Sequence, residues 1–157
     1  MITADWLKEK LTPFTKTKEA DKVGIVFFRT DLRVSRFANS QIHQHLSDED
    51  QIIYFRVLLD GRMGLASTNS IDEPNLKEAF KKALAIARLK LDTKGRRSLL
   101  SPKPLKTLPD FYFSKTAQLS AQARIKILKK IFIDAGKLKV KFSGNLYNGA
   151  NQIAVIS

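Results

Sequence analysis

Apolar and polar positions alternate with two different periods along this chain. From Val23 to Arg29 the run VGIVFFR is β-branched and aromatic, as a buried strand should be. Leu32 and Val34 alternate with Arg33 and Ser35, which predicts a second strand. Ala38-Asn39-Ser40 can then turn the chain toward Ile42, Gln44 and Leu46, and the acidic Ser47-Asp48-Glu49-Asp50 reads as the next turn. In QIIYFRVLL, from Gln51 to Leu59, residues Ile53, Phe55, Val57 and Leu59 point one way, and Ile52, Tyr54 and Leu58 the other. A strand apolar on both faces belongs in the middle of a sheet covered on both sides. Asp60-Gly61 supplies the positive φ angles of a two-residue hairpin and leads into RMGLAST.

The helical period appears three times. Thr3 can cap a short helix whose Trp6, Leu7 and Leu11 share a face, with Pro13 ending it. Ser70-Ile71-Asp72-Glu73 has the pattern of a capping box, with Asp72 a competing cap. It stands ahead of Leu76, Phe80, Ala83, Leu84, Ala87 and Leu91 on one helical face. Ser120 opens a further helix striped by Ala121, Ile125, Leu128, Phe132 and Ala135, which Gly136 can end. KLKVKFSGNLYNGANQIAVIS then reads as strand, turn and strand about Asn148-Gly149. Between the last two helices, Gly95, Pro102, Pro104 and Pro109 mark a long connection. The fold class is α+β: a mainly antiparallel β-meander backed by helices, with a second helix plus β-hairpin. The expected organisation is an α+β domain over residues 1–92, a connection over 93–118, and a helix and hairpin over 119–157 that begin the next part of a longer protein.

Composition narrows the setting. A chain of 157 residues with 43% hydrophobic content supports one compact core. The absence of cysteine removes disulfides and thiolate metal sites. The N-terminus lacks a basic region, and no apolar run approaches the ~18 residues of a membrane span, so the expected location is the cytoplasm. The formal net charge is +13. Its cations cluster from Lys77 to Arg97 and from Lys126 to Lys141, which fits two readings. One is a nucleic-acid footprint that releases counterions from phosphates. The other is solvated helix faces and strand edges, which the lack of interleaved aromatics favours.

The candidate chemistry is sparse. His43 and His45 share one side of a strand, yet a catalytic zinc usually needs three protein ligands and an open position. No HExxH, GxSxG or phosphate-binding glycine loop occurs. Arg56 lies in an apolar strand, and Arg36 and Arg62 lie near strand ends. They can anchor a carboxylate or a peptide terminus, or they can form ion pairs within the fold.

SRFANSQIHQ, followed by FRVLLDGRMGLASTNSIDEPNLKEAFKKALAIAR, resembles the N-terminal domain of the TldD/PmbA family, zinc metallopeptidases with the older name modulator of DNA gyrase. The shared features are a short turn containing Asn39 between Arg36 and Gln44, the pair Arg56-Val57, the hairpin Asp60-Gly61, the stretch Gly64 to Thr68, and a helix ending Ala83 to Arg88. The resemblance implies a subunit, catalytic or silent, that acts on small or unfolded peptides inside a closed dimer. It implies zinc for the full-length protein, held by an HExxxH motif downstream of this domain, and therefore no catalytic or metal residue in this chain. From the reading of the residues themselves, Arg36, Asn39, Arg56 and Arg62 are the candidate contacts for substrate or partner. The expected partners are the remainder of the polypeptide, a homo- or hetero-dimeric family member and a peptide. The alternative is a basic nucleic-acid-binding or gyrase-associated module.

Overall fold

The computed structural model describes residues 2–89, 99 and 111–157. Its elements run α1 (Ala4–Thr15), β1 (Lys22–Ala38), β2 (Gln41–Leu59), β3 (Arg62–Thr68), α2 (Glu73–Arg88), α3 (Ser114–Ala117), α4 (Ala121–Lys137) and β4 (Gly144–Ile156). The strands form one antiparallel sheet in the order β3-β2-β1-β4, so the fold is α+β and β2 is central as its two apolar faces require. The chain divides into two compact units. Unit 1 comprises Met1–Arg29, Gln51–Lys106 and Gln152–Ser157, and unit 2 comprises Thr30–Asp50 and Thr107–Asn151.

The meander turns on residues that tolerate the left-handed region. Asn39 and Ser40 (φ 51° and 59°) join β1 to β2, and Asp60 and Gly61 (φ 50° and 73°) join β2 to β3. Positive φ at both central positions gives the turn that matches strand twist, so both hairpins close in two residues. The second hairpin sets a register in which Leu59 faces Arg62, Val57 faces Gly64 and Ile53 faces Thr68.

In unit 1 the inward faces of β1 (Val23, Ile25, Phe27) and β2 (Ile53, Phe55, Val57) meet Leu7 and Leu11 of α1 and Leu76, Ala79, Phe80, Ala83, Leu84 and Ala87 of α2. On the opposite face of β2, Leu58 is buried and Ile52 and Tyr54 are half-buried. Helix α2 lies on β3 at backbone contact distance. A Cβ at Gly64 would stand 1.8 Å from the Ala83 carbonyl oxygen and 2.7 Å from the Ala87 nitrogen. The small side chains of Ala79, Ala83 and Ala87, one helical turn apart, permit that approach. Leu91, expected on the same face, lies outside the described residues.

Several expectations need correction. The segments read as two strands over Val23–Arg29 and Leu32–Ser35 are one uninterrupted β1, and Ser47-Asp48-Glu49-Asp50 is not a turn but part of β2. A strand pairs through backbone groups, so a polar stretch continues a long hairpin whose partner is extended opposite it. Asn148-Gly149 makes no hairpin: β4 is one strand, and residues 138–143 lie outside any strand. Pro13 sits inside the last turn of α1, where a single lost hydrogen bond is tolerated, and the helix ends at Thr15. At the end of α4 the left-handed residue is Lys139 (φ 54°), not Gly136. The connection expected over 93–118 lies outside the described residues except at Leu99 and 111–118, where α3 forms.

Thr3, Asp72 and Ser120 cap α1, α2 and α4. The Asp72 carboxyl is held below its ordinary value of 3.8, first by the Ser70 hydroxyl and then by the Asn75 backbone N–H. A depressed folded-state pKa contributes stability above the unfolded value, and that stability is lost as pH falls through the folded one. The stability advantage of the wild type over Asp72→Asn should therefore be present at neutral pH and shrink below about pH 3.8 in denaturant titrations. A gap independent of pH would contradict the capping role of the charge.

Phe80 meets Phe14 and Phe55 with ring centroids 5.5 and 6.2 Å apart. Phe80→Ala should destabilise the protein by about 3–5 kcal/mol, as deletion of a buried ring usually does. Lys82→Ala, on the exposed face, should change stability little. Equal thermal shifts for the two variants would refute the assignment of the buried face.

Candidate functional site

The buried polar side chains collect in unit 2. Ser35 is 0%, Arg124 2% and Asn148 6% exposed. Ser120 caps α4 by accepting from the Ala123 N–H (3.2 Å), which fixes the first turn and puts Arg124 on the same inward stripe as Leu128. A guanidinium has five N–H donors in a rigid fork, and burial demands acceptors for them. Nε donates to Ser35 Oγ at 2.7 Å, and Nη1 donates to the Leu119 carbonyl at 2.9 Å and to Asn148 Oδ1 at 2.7 Å.

Those acceptors are themselves anchored. Asn148 Nδ2 donates to the carbonyls of Thr116 (3.0 Å) and Ala117 (2.9 Å), and Arg33 Nη1 donates to Ala117 at 2.7 Å. These bonds fall on carbonyls at the end of the short helix α3, of which Thr116 also accepts from the Leu119 N–H at 3.3 Å. Arg33 Nη2 also meets Asp31 Oδ2 at 3.0 Å. Beside Asn148, a Cβ at Gly149 would stand 2.0 Å from the Asp31 carbonyl oxygen, so β4 reaches this position against β1 only with glycine. Ser35 Oγ is 2.8 Å from His45 Nδ1. The Ser35 hydroxyl can donate to Nδ1 while accepting from Arg124, or accept from both, since its oxygen has two lone pairs.

Arg33, His45, Ser47, Ser120, Ala121 and Arg124 help to line a cavity of about 410 Å³ in unit 2. A larger groove of about 650 Å³ runs between α1 and α2 in unit 1, over Phe14 and Phe80. On its rim Lys77 pairs with Glu73 at 2.5 Å and Glu19 with Arg88 at 3.4 Å. The Lys77 partnership holds the Glu73 carboxyl below its ordinary value.

The candidates taken from the sequence are divided between the two units. Arg36 is exposed, with Nη1 3.5 Å from Gln44 Oε1. Asn39 makes the β1–β2 turn, and its N–H donates to Ser143 Oγ at 3.1 Å. Both belong to unit 2, whereas Arg56 and Arg62 belong to unit 1. Arg56 is exposed opposite Leu65. Arg62 pairs with Asp60 at 3.1 Å and donates to the Arg88 carbonyl at 3.4 Å, at the end of α2. The residues do not fit a zinc ion: among the described residues no group of three His, Cys, Asp or Glu could hold a metal. His45 is engaged with Ser35, and His43 is exposed. Arg124, Ser35 and Asn148 were not singled out from the sequence. The one available signal was a charged residue four positions before Leu128, on the apolar stripe of α4.

Known proteins place the fold. The family model for PmbA/TldA metallopeptidase domain 1 matches residues 25–87. Residues 25–87 are thus similar to the first domain of the TldD/PmbA family, the one the sequence resembles. No curated protein matches it. Among solved structures it is similar to TldE from Thermococcus kodakarensis, with a TM-score of 0.74 and 21% identity over 94% of this chain and 34% of that one. It is also similar to a protein described as a modulator of a DNA gyrase from Thermotoga maritima, with a TM-score of 0.72 and 19% identity over 98% of this chain and 37% of that one. A further protein so described, from Bacteroides thetaiotaomicron, gives a TM-score of 0.68 and 18% identity over 99% of this chain and 40% of that one. The chain thus spans a little over a third of the length of these structures, and at such identities the likeness is one of fold.

Removing the Ser35 hydroxyl leaves Arg124 Nε buried without an acceptor, which costs about 1–3 kcal/mol. Ser35→Ala should therefore destabilise the protein by that amount in denaturant titrations. His45→Ala, which removes an exposed ring, should cost clearly less. The reverse order would show that the buried guanidinium does not depend on Ser35.

Proposed function

We propose that this chain is the N-terminal structural and substrate-enclosing domain of a TldD/PmbA-type metallopeptidase subunit that acts on small or unfolded peptides. The observation that carries the reading is unpartnered apolar surface. In unit 2, Ile133 and Tyr147 are 61% and 70% exposed, and Ile127 and Ile131 are also exposed on α4. In unit 1, Ile153 and Val155 are 64% and 70% exposed on β4, an edge strand of the sheet. Apolar surface of this extent marks contact with protein, and an open strand edge invites pairing. The partners that fit are the remainder of a longer polypeptide, a homo- or hetero-dimeric family member and an extended peptide.

Zinc belongs to this reading only through the family, because the described residues do not fit the ion. Any hydrolysis then rests on residues other than these, and the domain shapes the enclosure around them. The location proposed is the cytoplasm. The structure itself gives only that no helix among the described residues is long and apolar enough to cross a membrane.

The test is a zinc titration by calorimetry, with a fluorogenic unfolded peptide assayed alongside. The chain alone should neither bind zinc stoichiometrically nor cleave. Added to a family subunit that carries HExxxH, it should form a defined complex whose cleavage depends on zinc. Metal-dependent cleavage by this chain alone, lost in a His43→Ala, His45→Ala double variant, would overturn the reading. Tight duplex binding whose log–log salt slope reports many phosphates, about −0.9 for each, would favour the nucleic-acid alternative instead.

A further inference from the structure

We propose that the unit 2 cavity at the start of α4 is a binding site for a small carboxylate. The inference stands on the geometry of unit 2 and does not depend on the peptidase reading. Arg124 is 2% exposed, yet among the described residues no carboxylate pairs with it. Its Nε and Nη1 are used, while Nη2 meets no acceptor among the described residues. Nη2 is also not among the fully enclosed, unsatisfied atoms, and Arg124 lines the cavity. The open edge of the guanidinium is therefore the one that faces the cavity.

Four neighbours stand around it. The first backbone N–H groups of α4, from Ala121 and Gln122, have no intrahelical partner, and they carry the partial positive charge of a 17-residue helix. Arg33 and His45 line the same cavity, and His45 Nδ1 lies 2.8 Å from Ser35 Oγ. The Ser47 hydroxyl lies on the same strand face as His45. Helix terminus and buried guanidinium together form the donor set that recognises oxyanions.

Charge decides which oxyanion. Asp31 neutralises Arg33, with which it pairs at 3.0 Å, and Asp31 does not line the cavity. Glu49 lies two residues beyond Ser47 on that strand face but also does not line it. One uncompensated guanidinium and a partial helix charge match a monoanion, so a carboxylate fits better than a phosphate dianion. A volume of about 410 Å³ admits the carboxylate together with a small attached group. The carboxylate can belong to a peptide C-terminus or to a free small acid, and the two sources are separable by experiment.

The experiment is a titration of the isotope-labelled chain, followed through the backbone amides of Ala121 and Gln122 and the Arg124 Nε–H. The probes are acetate, N-acetyl-glycylglycine, the amide of that peptide, and inorganic phosphate. Saturable shifts with acetate and the peptide acid, absent with the amide, are expected. Tighter binding of the peptide acid than of acetate identifies a peptide terminus, and equal binding identifies a free acid. Ala121→Asp places a carboxylate at the mouth of the cavity, at a helix position where an acidic residue is favourable. It should keep the fold and weaken the peptide acid roughly tenfold or more, the ratio expected when one charge-assisted hydrogen bond is lost. Arg33→Gln should weaken it by less. The proposal is overturned if acid and amide shift the same resonances alike, if no probe saturates, if phosphate displaces acetate, or if Ala121→Asp binds as the wild type does.

Discussion

A guanidinium taken out of water without a carboxylate beside it must be met by neutral acceptors, and in unit 2 this demand organises the chain. Arg124 reaches Ser35 on β1, Asn148 on β4 and the Leu119 carbonyl just ahead of its own helix. Asn148 and Arg33 in turn hold the end of α3. Each acceptor is neutral, so the positive charge is solvated by dipoles and not cancelled. Removing one partner of such a network is costlier than the average hydrogen bond suggests, because the remainder stays buried and unpaired. Other packing in unit 2 is modest beside it: Phe37 against Phe132, with centroids 5.4 Å apart, and the buried Leu128 and Ala135.

Unit 1 is held differently. There the constraint is steric: Gly64 and the alanines of α2 let a helix backbone touch a strand backbone, and the aromatic cluster of Phe14, Phe55 and Phe80 fills the space beyond. Among the described residues its core cluster is built from apolar side chains and takes its specificity from shape. A residue larger than glycine at position 64 has no room to relax, since the atoms it would meet are backbone. The two units thus illustrate opposite solutions to covering a long sheet, one by close apolar packing and one by a satisfied polar network.

What the sequence disclosed follows the same division. The central strand β2, the Asp60-Gly61 turn, the caps and the buried face of α2 were legible because each is encoded locally, by alternation, by a turn dipeptide or by a helical stripe. Ser47 to Asp50 misled because its composition is that of a turn, while its conformation comes from pairing across a long hairpin. Asn148-Gly149 misled for a related reason. Asparagine and glycine are the residues of a tight hairpin, but here the amide ties down α3 and the missing Cβ admits a neighbouring backbone. Arg124 was hidden because its partners lie 24 and 89 residues away in sequence. The arginines that did attract notice, Arg36, Arg56 and Arg62, stand at least partly exposed or serve the ends of other elements.

The family model covers residues 25–87, and the exposed apolar surface bears on what the chain contacts. The buried cation is the feature on which the polar network of unit 2 depends. The most direct measurement is the hydrogen exchange of the Arg124 Nε–H, resolved by NMR and compared with the exchange of the α4 amides. Burial with a bond to Ser35 predicts exchange only through cooperative opening, as slow as that of the Leu128 amide. Exchange at the rate of a solvated arginine would show that the guanidinium lies in water, and the account of unit 2 would fail.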